Sequence, residues 1–157
     1  LEKQAMIKYI NEDPVFDPFI SKCIQSLFLK DTNALINIVW VEELEHNQAG
    51  NCTGDTQEVE ICISKNYRFE CGDKGAYCQQ EIASTLAHEL IHARQFILGD
   101  INNEDYYYKG LNYKSVKYEE TPWEVEAYSL ELVLVDSFWL HSTEIQQDKE
   151  LKDSKIG

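Results

Sequence analysis

The sequence predicts an α+β domain in which a small mixed sheet packs on two long helices. Three observations point to it. Two short runs, residues 34–41 and 59–64, have the composition of strands. A longer stretch, 79–98, repeats apolar residues at helical spacing. Thr121-Pro122 then opens a second helix that runs through Phe138. The chain has 157 residues, which suits a single domain, 1–157.

Taken in order, residues 19–30 set Phe19, Ile20, Cys23, Ile24, Leu27 and Phe28 at helical spacing, with Asp17-Pro18 as the start. Residues 34–41, rich in Ile, Val and Trp with Asn37 the single polar position, read as a buried strand. Residues 50–56 hold turn formers. In 59–64, Val59, Ile61 and Ile63 alternate with Glu60, Cys62 and Ser64, the pattern of a half-exposed strand. Residues 71–75 form a loop. In 79–98 the apolar stripe is Ile82, Leu86, Leu90, Ala93 and Ile97, and Gly99-Asp100 ends it. A loop dense in Asn and Tyr covers 101–120. The final helix carries Trp123, Ala127, Leu130, Leu134 and Phe138, with Thr121 at its N-cap.

Composition removes several function classes. Hydrophobic residues are 43% and charged residues 27%, which is globular and neither disordered nor fibrous. No apolar run approaches the roughly 20 residues of a membrane helix, and 130–140 is broken by Glu131 and Asp136. Insertion in a membrane is not expected. Asp and Glu outnumber Lys and Arg by 28 to 14, a net charge of -14, and Arg68 and Arg94 are the only arginines. Such a chain repels phosphate backbones, so nucleic acid is not an expected partner. Excess acid also suits cations or basic substrates, although solubility is the simpler reason for it.

Cysteine usage bears on compartment. Cys52, Cys62, Cys71 and Cys78 cluster without a Cys-x-x-Cys pair, which argues against a structural zinc knuckle. Two disulfides with Cys23 left over would mean a secreted or extracytoplasmic protein, and free thiols a cytoplasmic one. A bridge from Cys71 to Cys78 would brace the approach to the helix at 79–98. Asn51-Cys52-Thr53 matches a glycosylation acceptor, a pattern common by chance. From Leu1 onward there is no basic segment followed by an apolar run, so a signal peptide is expected to be either absent or already removed, and localisation stays open.

One motif names a chemistry. His88-Glu89-Leu90-Ile91-His92 lies inside the helical stretch, and positions four apart share a helix face, so both imidazoles can reach one metal ion. Glu89 sits where it can be aimed at a water on that metal. Zinc lowers the pKa of such a water to about 7, and the carboxylate takes its proton as it attacks a carbonyl. Two surface histidines on a helix are the bland alternative, and His46 and His141 carry no such pattern.

A catalytic zinc keeps three protein ligands. Candidates for the third are Glu119, Glu120, Glu124, Glu126, Glu131 and His141, of which Glu124 and Glu126 lie on the first turns of the next helix. These two stand about 200° apart around the helix axis and cannot both face one ion. Ala127 favours Glu124, because a small residue on nearly the same face lets the two helices approach closely. Trp123 would then turn away as a core anchor. Against this, Thr121-x-x-Glu124 also spells a capping box.

Residues 85–95, Thr-Leu-Ala-His-Glu-Leu-Ile-His-Ala-Arg-Gln, followed by 122–128, Pro-Trp-Glu-Val-Glu-Ala-Tyr, resemble the gluzincin clan of zinc peptidases. They are similar in particular to small metallopeptidases of phages and bacteria. The likeness spans about 82–131, a third of the chain. It implies a zincin-like fold, with the active-site helix crossing beneath the sheet. It also implies one zinc ion held by His88, His92 and Glu124, with Glu89 as general base and then acid. Related sequences often have Asp or Asn four residues after the ligand Glu, supporting a zinc-bound histidine. Tyr128 stands there instead, which leaves room for Glu126.

The oxyanion donor is expected among Tyr106, Tyr107, Tyr108, Tyr113 and Tyr118, and Tyr118, nearest the Glu helix, is favoured. The strand at 59–64 precedes the motif helix, as the substrate-binding edge strand does in these peptidases, and an exposed edge can take an extended peptide by strand addition, with a plain core strand as the alternative. The function expected is hydrolysis of a peptide bond in a peptide or protein substrate. The alternative is a zinc-binding module without proteolysis, such as a sensor or a virion component. A third reading is an acidic interaction domain with no metal.

Overall fold

The computed structural model describes residues 6–10, 13–27, 29, 32–67, 76–102 and 107–140. The element order is β1 (Met6–Ile10), a 3-10 turn (Pro14–Phe16), α1 (Asp17–Ser26), β2 (Leu35–Val41), β3 (Gly50–Gly54), β4 (Glu58–Ser64), α2 (Ala76–Ile97), a hairpin of β5 (Tyr107–Tyr108) and β6 (Leu111–Asn112), and α3 (Pro122–Val135), which continues as a π-helical turn (Asp136–Leu140). The class is α+β.

The sheet has the order β1-β2-β4-β3. β1, β2 and β4 run parallel, and β3 returns antiparallel against β4. Along β2 the residues Ile36, Ile38 and Trp40 are buried while Leu35, Asn37, Val39 and Val41 are half-buried. The strand expected to be buried is thus buried at alternate positions, because the helices cover one face only. Val59, Ile61 and Ile63 of β4 extend the same inner face. Phe19, Ile20, Cys23 and Ile24 of α1 and Leu86, Leu90 and Ile91 of α2 close over it.

Helix α1 starts at Asp17 as expected but stops at Ser26, short of residue 30. Two further expectations change. Residues 50–56 are mostly a strand, because β4 supplies a full ladder to Gly50–Gly54. Their turn chemistry has another cause, close packing. A Cβ on Gly50 would come within 2.7 Å of Thr85 Cγ2, and one on Gly54 would collide with the Glu58 carbonyl. The turn itself is Asp55–Gln57, where the Asp55 carboxylate accepts the Gln57 and Glu58 amides at 2.8 and 2.9 Å. The strand at 59–64 is not an edge, since β2 and β3 flank it. The edge beside α2 is β3.

Helix α2 lies between the sheet and α3. It ends at Gly99, whose φ of 75° lets the Asp100 amide reach back to the Gln95 carbonyl at 2.9 Å. The 101–120 loop contains the β5–β6 hairpin, turned by Lys109 and Gly110 at φ 49° and 84°. Ala127 is wholly buried where α3 meets α2, as its size suggested. Among the described residues no helix is long and apolar enough to cross a membrane.

Cys23, Cys52 and Cys62 are free thiols. Cys52 opposes Ile61 and Cys62 opposes Asn51, so the two thiols leave opposite faces of the β3–β4 ladder and cannot bridge. Cys71 and the side chain of Cys78 lie outside the described residues, and with them the proposed brace.

Candidate metal centre

His88 and His92, one helical turn apart on α2, bring their Nε2 atoms to 3.1 Å. From the first turn of α3, Glu124 sets Oε2 at 3.1 Å from His88 Nε2 and Oε1 at 2.8 Å from His92 Nε2. These three side chains can hold a metal ion, with one donor atom from each within 4.8 Å of the others. Bonds of about 2.0–2.1 Å to a tetrahedral ion imply donor separations of roughly 3.3 Å, close to those found. Glu124 is buried and spent on the histidines, which excludes the capping box. The Thr121 hydroxyl instead donates to the Tyr118 carbonyl at 2.7 Å.

Neighbouring side chains decide which ring nitrogens face the centre. His88 Nδ1 meets Glu131 Oε1 at 3.3 Å, and His92 Nδ1 meets Gln95 Oε1 at 2.7 Å. Both partners are acceptors, so both Nδ1 atoms carry hydrogen and each neutral ring turns its Nε2 lone pair inward. Two lone pairs and a carboxylate converging within about 3 Å repel one another unless a positive charge lies between them.

Titration reflects the same demand. Burial opposes charge on His88, yet the Glu124 and Glu131 carboxylates push it up to about 10. His92 is also raised, by Glu124 and by the Glu89 charge, against the effect of burial. Burial works against the Glu124 charge too, but its bonds to the two histidines hold it down at about 2. A proton or a metal cation can meet that demand.

Glu89 is buried beside the histidines, and its Oε2 has no hydrogen-bond partner. Burial raises its carboxyl to about 7, with Glu124 and Glu131 adding to the rise and His92 and His88 opposing it. An orphaned carboxylate oxygen next to a metal-ligand cluster fits a proton acceptor.

Among the tyrosines, the Tyr118 hydroxyl donates to Glu124 Oε1 at 2.9 Å and so reaches the centre. Tyr108 instead donates to Glu126 Oε2 at 3.0 Å, and Tyr113 packs edge-on against Trp123 with centroids 6.0 Å apart. Tyr106 and the Tyr107 side chain lie outside the described residues, as does His141. Trp123 is half-buried against these loop rings rather than a core anchor, because the hairpin folds over the start of α3. Glu126 points away from the centre toward Gln95 and Tyr108. Tyr128 lays its ring 4.7 Å from His88, while the carboxylate supporting that histidine comes from Glu131, two turns beyond Glu124. Gln95 and Glu131 are the supports that sequence reasoning did not assign. Gln95 stood three residues past His92, on the same helix face, as the available signal.

No protein-family model matches the chain, and no curated protein matches it in sequence.

Proposed function

We propose that the chain is a gluzincin-type zinc peptidase that hydrolyses a peptide bond, with one zinc held by His88, His92 and Glu124. The observation that carries this reading is the convergence of the two Nε2 atoms on the Glu124 carboxylate, at 3.1 and 2.8 Å, beside the partnerless Oε2 of Glu89. Two imidazoles and a carboxylate form a donor set suited to zinc. When bound, the metal supplies Lewis acidity that polarises the scissile carbonyl and makes water a nucleophile near neutral pH.

The remaining steps belong to this chain. Glu89 Oε2 takes a proton from the attacking water and passes it to the leaving amine. The Tyr118 hydroxyl, 2.9 Å from Glu124, stands at the centre as the donor to the developing oxyanion. Gly50 of β3 packs close to Glu89, so an extended peptide adding to the outer edge of β3 would run past that carboxylate.

The test measures zinc content and cleavage of an unfolded protein such as casein, in the parent and in Glu89→Gln. Zinc in both with cleavage only in the parent supports the reading. Zinc in both with no cleavage by either favours a non-proteolytic zinc module, and absence of zinc after metal-supplemented expression defeats the metal assignment.

A further inference from the structure

Gln95 is wholly buried in the last turn of α2. Its Oε1 accepts from His92 Nδ1 at 2.7 Å. Its Nε2 donates to the Trp123 carbonyl at 2.9 Å and to Glu126 Oε1 at 3.2 Å. Only this orientation of the amide fits, since a turned amide would set its oxygen against two other acceptors. The backbone beneath it is held separately, because the Gln95 carbonyl accepts the Asp100 amide at 2.9 Å. Glu126 is anchored in turn by the Tyr108 hydroxyl.

The contacts of this one side chain span two helices. Oε1 governs the ring of His92, while Nε2 holds the carbonyl of the residue immediately before Glu124. We propose that Gln95 is a positioning residue that sets His92 and Glu124 relative to each other across the α2–α3 junction. It fixes the His92 ring so that Nε2 faces the centre, and through Trp123 it fixes how closely the first turn of α3 approaches. His88–Glu131 makes a second tie between the same helices at 3.3 Å, so the three ligands lie between two cross-helix links. Glu126, which the sequence leaves open as a ligand, is the outer anchor of the Gln95 link.

The inference rests on the metal reading only for its zinc measurement. Three full-length variants test it: Q95L, Q95E and Q95E/E126Q. Q95L removes the acceptor and both donors at similar volume. Q95E keeps an acceptor for His92 but sets a carboxylate against Glu126 and the Trp123 carbonyl. The double exchange restores a donor between positions 95 and 126 without changing the net charge of the pair.

Zinc affinity, measured by chelator competition, should fall roughly 10–100-fold in Q95L and Q95E. The double exchange should regain most of the loss in Q95E. In NMR spectra the His92 Nδ1–H proton should be protected from solvent exchange in the parent and in Q95E, and unprotected in Q95L. That resonance reads the His92 contact itself, which a general packing role for Gln95 would not require. If Q95L does not fold, comparing Q95E with the double exchange carries the test. Parent-like zinc affinity in Q95E, or a double exchange no better than Q95E, overturns the proposal. A parent that takes up no zinc defeats the peptidase reading, and its metal-free spectrum still separates the two ideas. A protected His92 Nδ1–H there supports the Gln95 link, and an exchanging one overturns it.

Discussion

Glu124 and Glu126 stand two residues apart, yet one meets His88 and His92 while the other meets Gln95 and Tyr108. Glu124→Ala should therefore reduce bound zinc from about one equivalent to a trace, whereas Glu126→Ala should retain the metal at weaker affinity, as elemental analysis and chelator titration would read. Loss of zinc in Glu126→Ala alone would reverse the assignment. Glu89 offers a second prediction, with a sign set by its environment. Its carboxyl lies at about 7 in the fold against an ordinary 4.5, so folding favours its protonated form. Stability of the metal-free protein should fall as pH rises from about 4.5 to about 7, with the full cost present above that range. Gln at this position cannot ionise. Metal-free Glu89→Gln should consequently melt several degrees above the metal-free parent at pH 8, and the gap should close toward pH 4.5. Equal melting at pH 8 would show that the buried charge costs nothing. His88, Glu89 and His92 were legible in the sequence because four-residue spacing is a local property of one helix. Glu131 was not, because its role exists only where α3 docks on α2, and of the Gln95 contacts only the one to His92 is local to a single helix.

The same division holds for whole elements. α2, α3 and β4 each carry a period in their own residues and β2 an apolar run, and the sequence marks them within a few positions. β3 does not: Gly-Asn-Cys-Thr-Gly has the composition of a turn and becomes a strand because β4 offers it a partner. Its placement also decides which edge is open, so of the two readings of 59–64 the core strand holds and the edge strand does not, for reasons of topology rather than propensity. Gly50 gives a test of this element. Its missing Cβ leaves room for Thr85 Cγ2 and Glu89 Cγ, at 2.7 and 3.3 Å from where that atom would lie. Gly50→Ala should destabilise the fold by about 1–3 kcal/mol, because β3 must retreat from α2. Chemical denaturation would measure it, and an unchanged midpoint would mean the strand shifts freely.

At the scale of the molecule, the candidate metal ligands come from two helices joined by a long loop, with the sheet as the platform for the first. Composition argues against membrane helices and nucleic-acid partners but is silent on a site made by three side chains. Their meeting depends on the hydrophobic docking of α3, around Ala127, Leu134 and Val135, more than on any charge count. Zinc at 100 times its dissociation constant should add about 2.7 kcal/mol to stability. For a chain of this size that raises the melting temperature by roughly 5–10 °C, and a chelator should reverse it. A melting curve indifferent to zinc and chelator would argue against a metal in the native fold.

The loop that joins the helices is fastened at both ends. The Lys109 amide donates to the Asp100 carbonyl at 2.9 Å just past α2, and the Tyr118 hydroxyl donates to Glu124 just inside α3. Lys114 and Lys117 are exposed between these points. The second fastening ends on a candidate metal ligand, so immobilising Glu124 also immobilises the backbone leading to it. Trypsin should then cut after Lys114 and Lys117 more slowly once zinc is present, even though neither lysine belongs to the donor set. The rate of nicking at this bend becomes a gauge of how full the centre is.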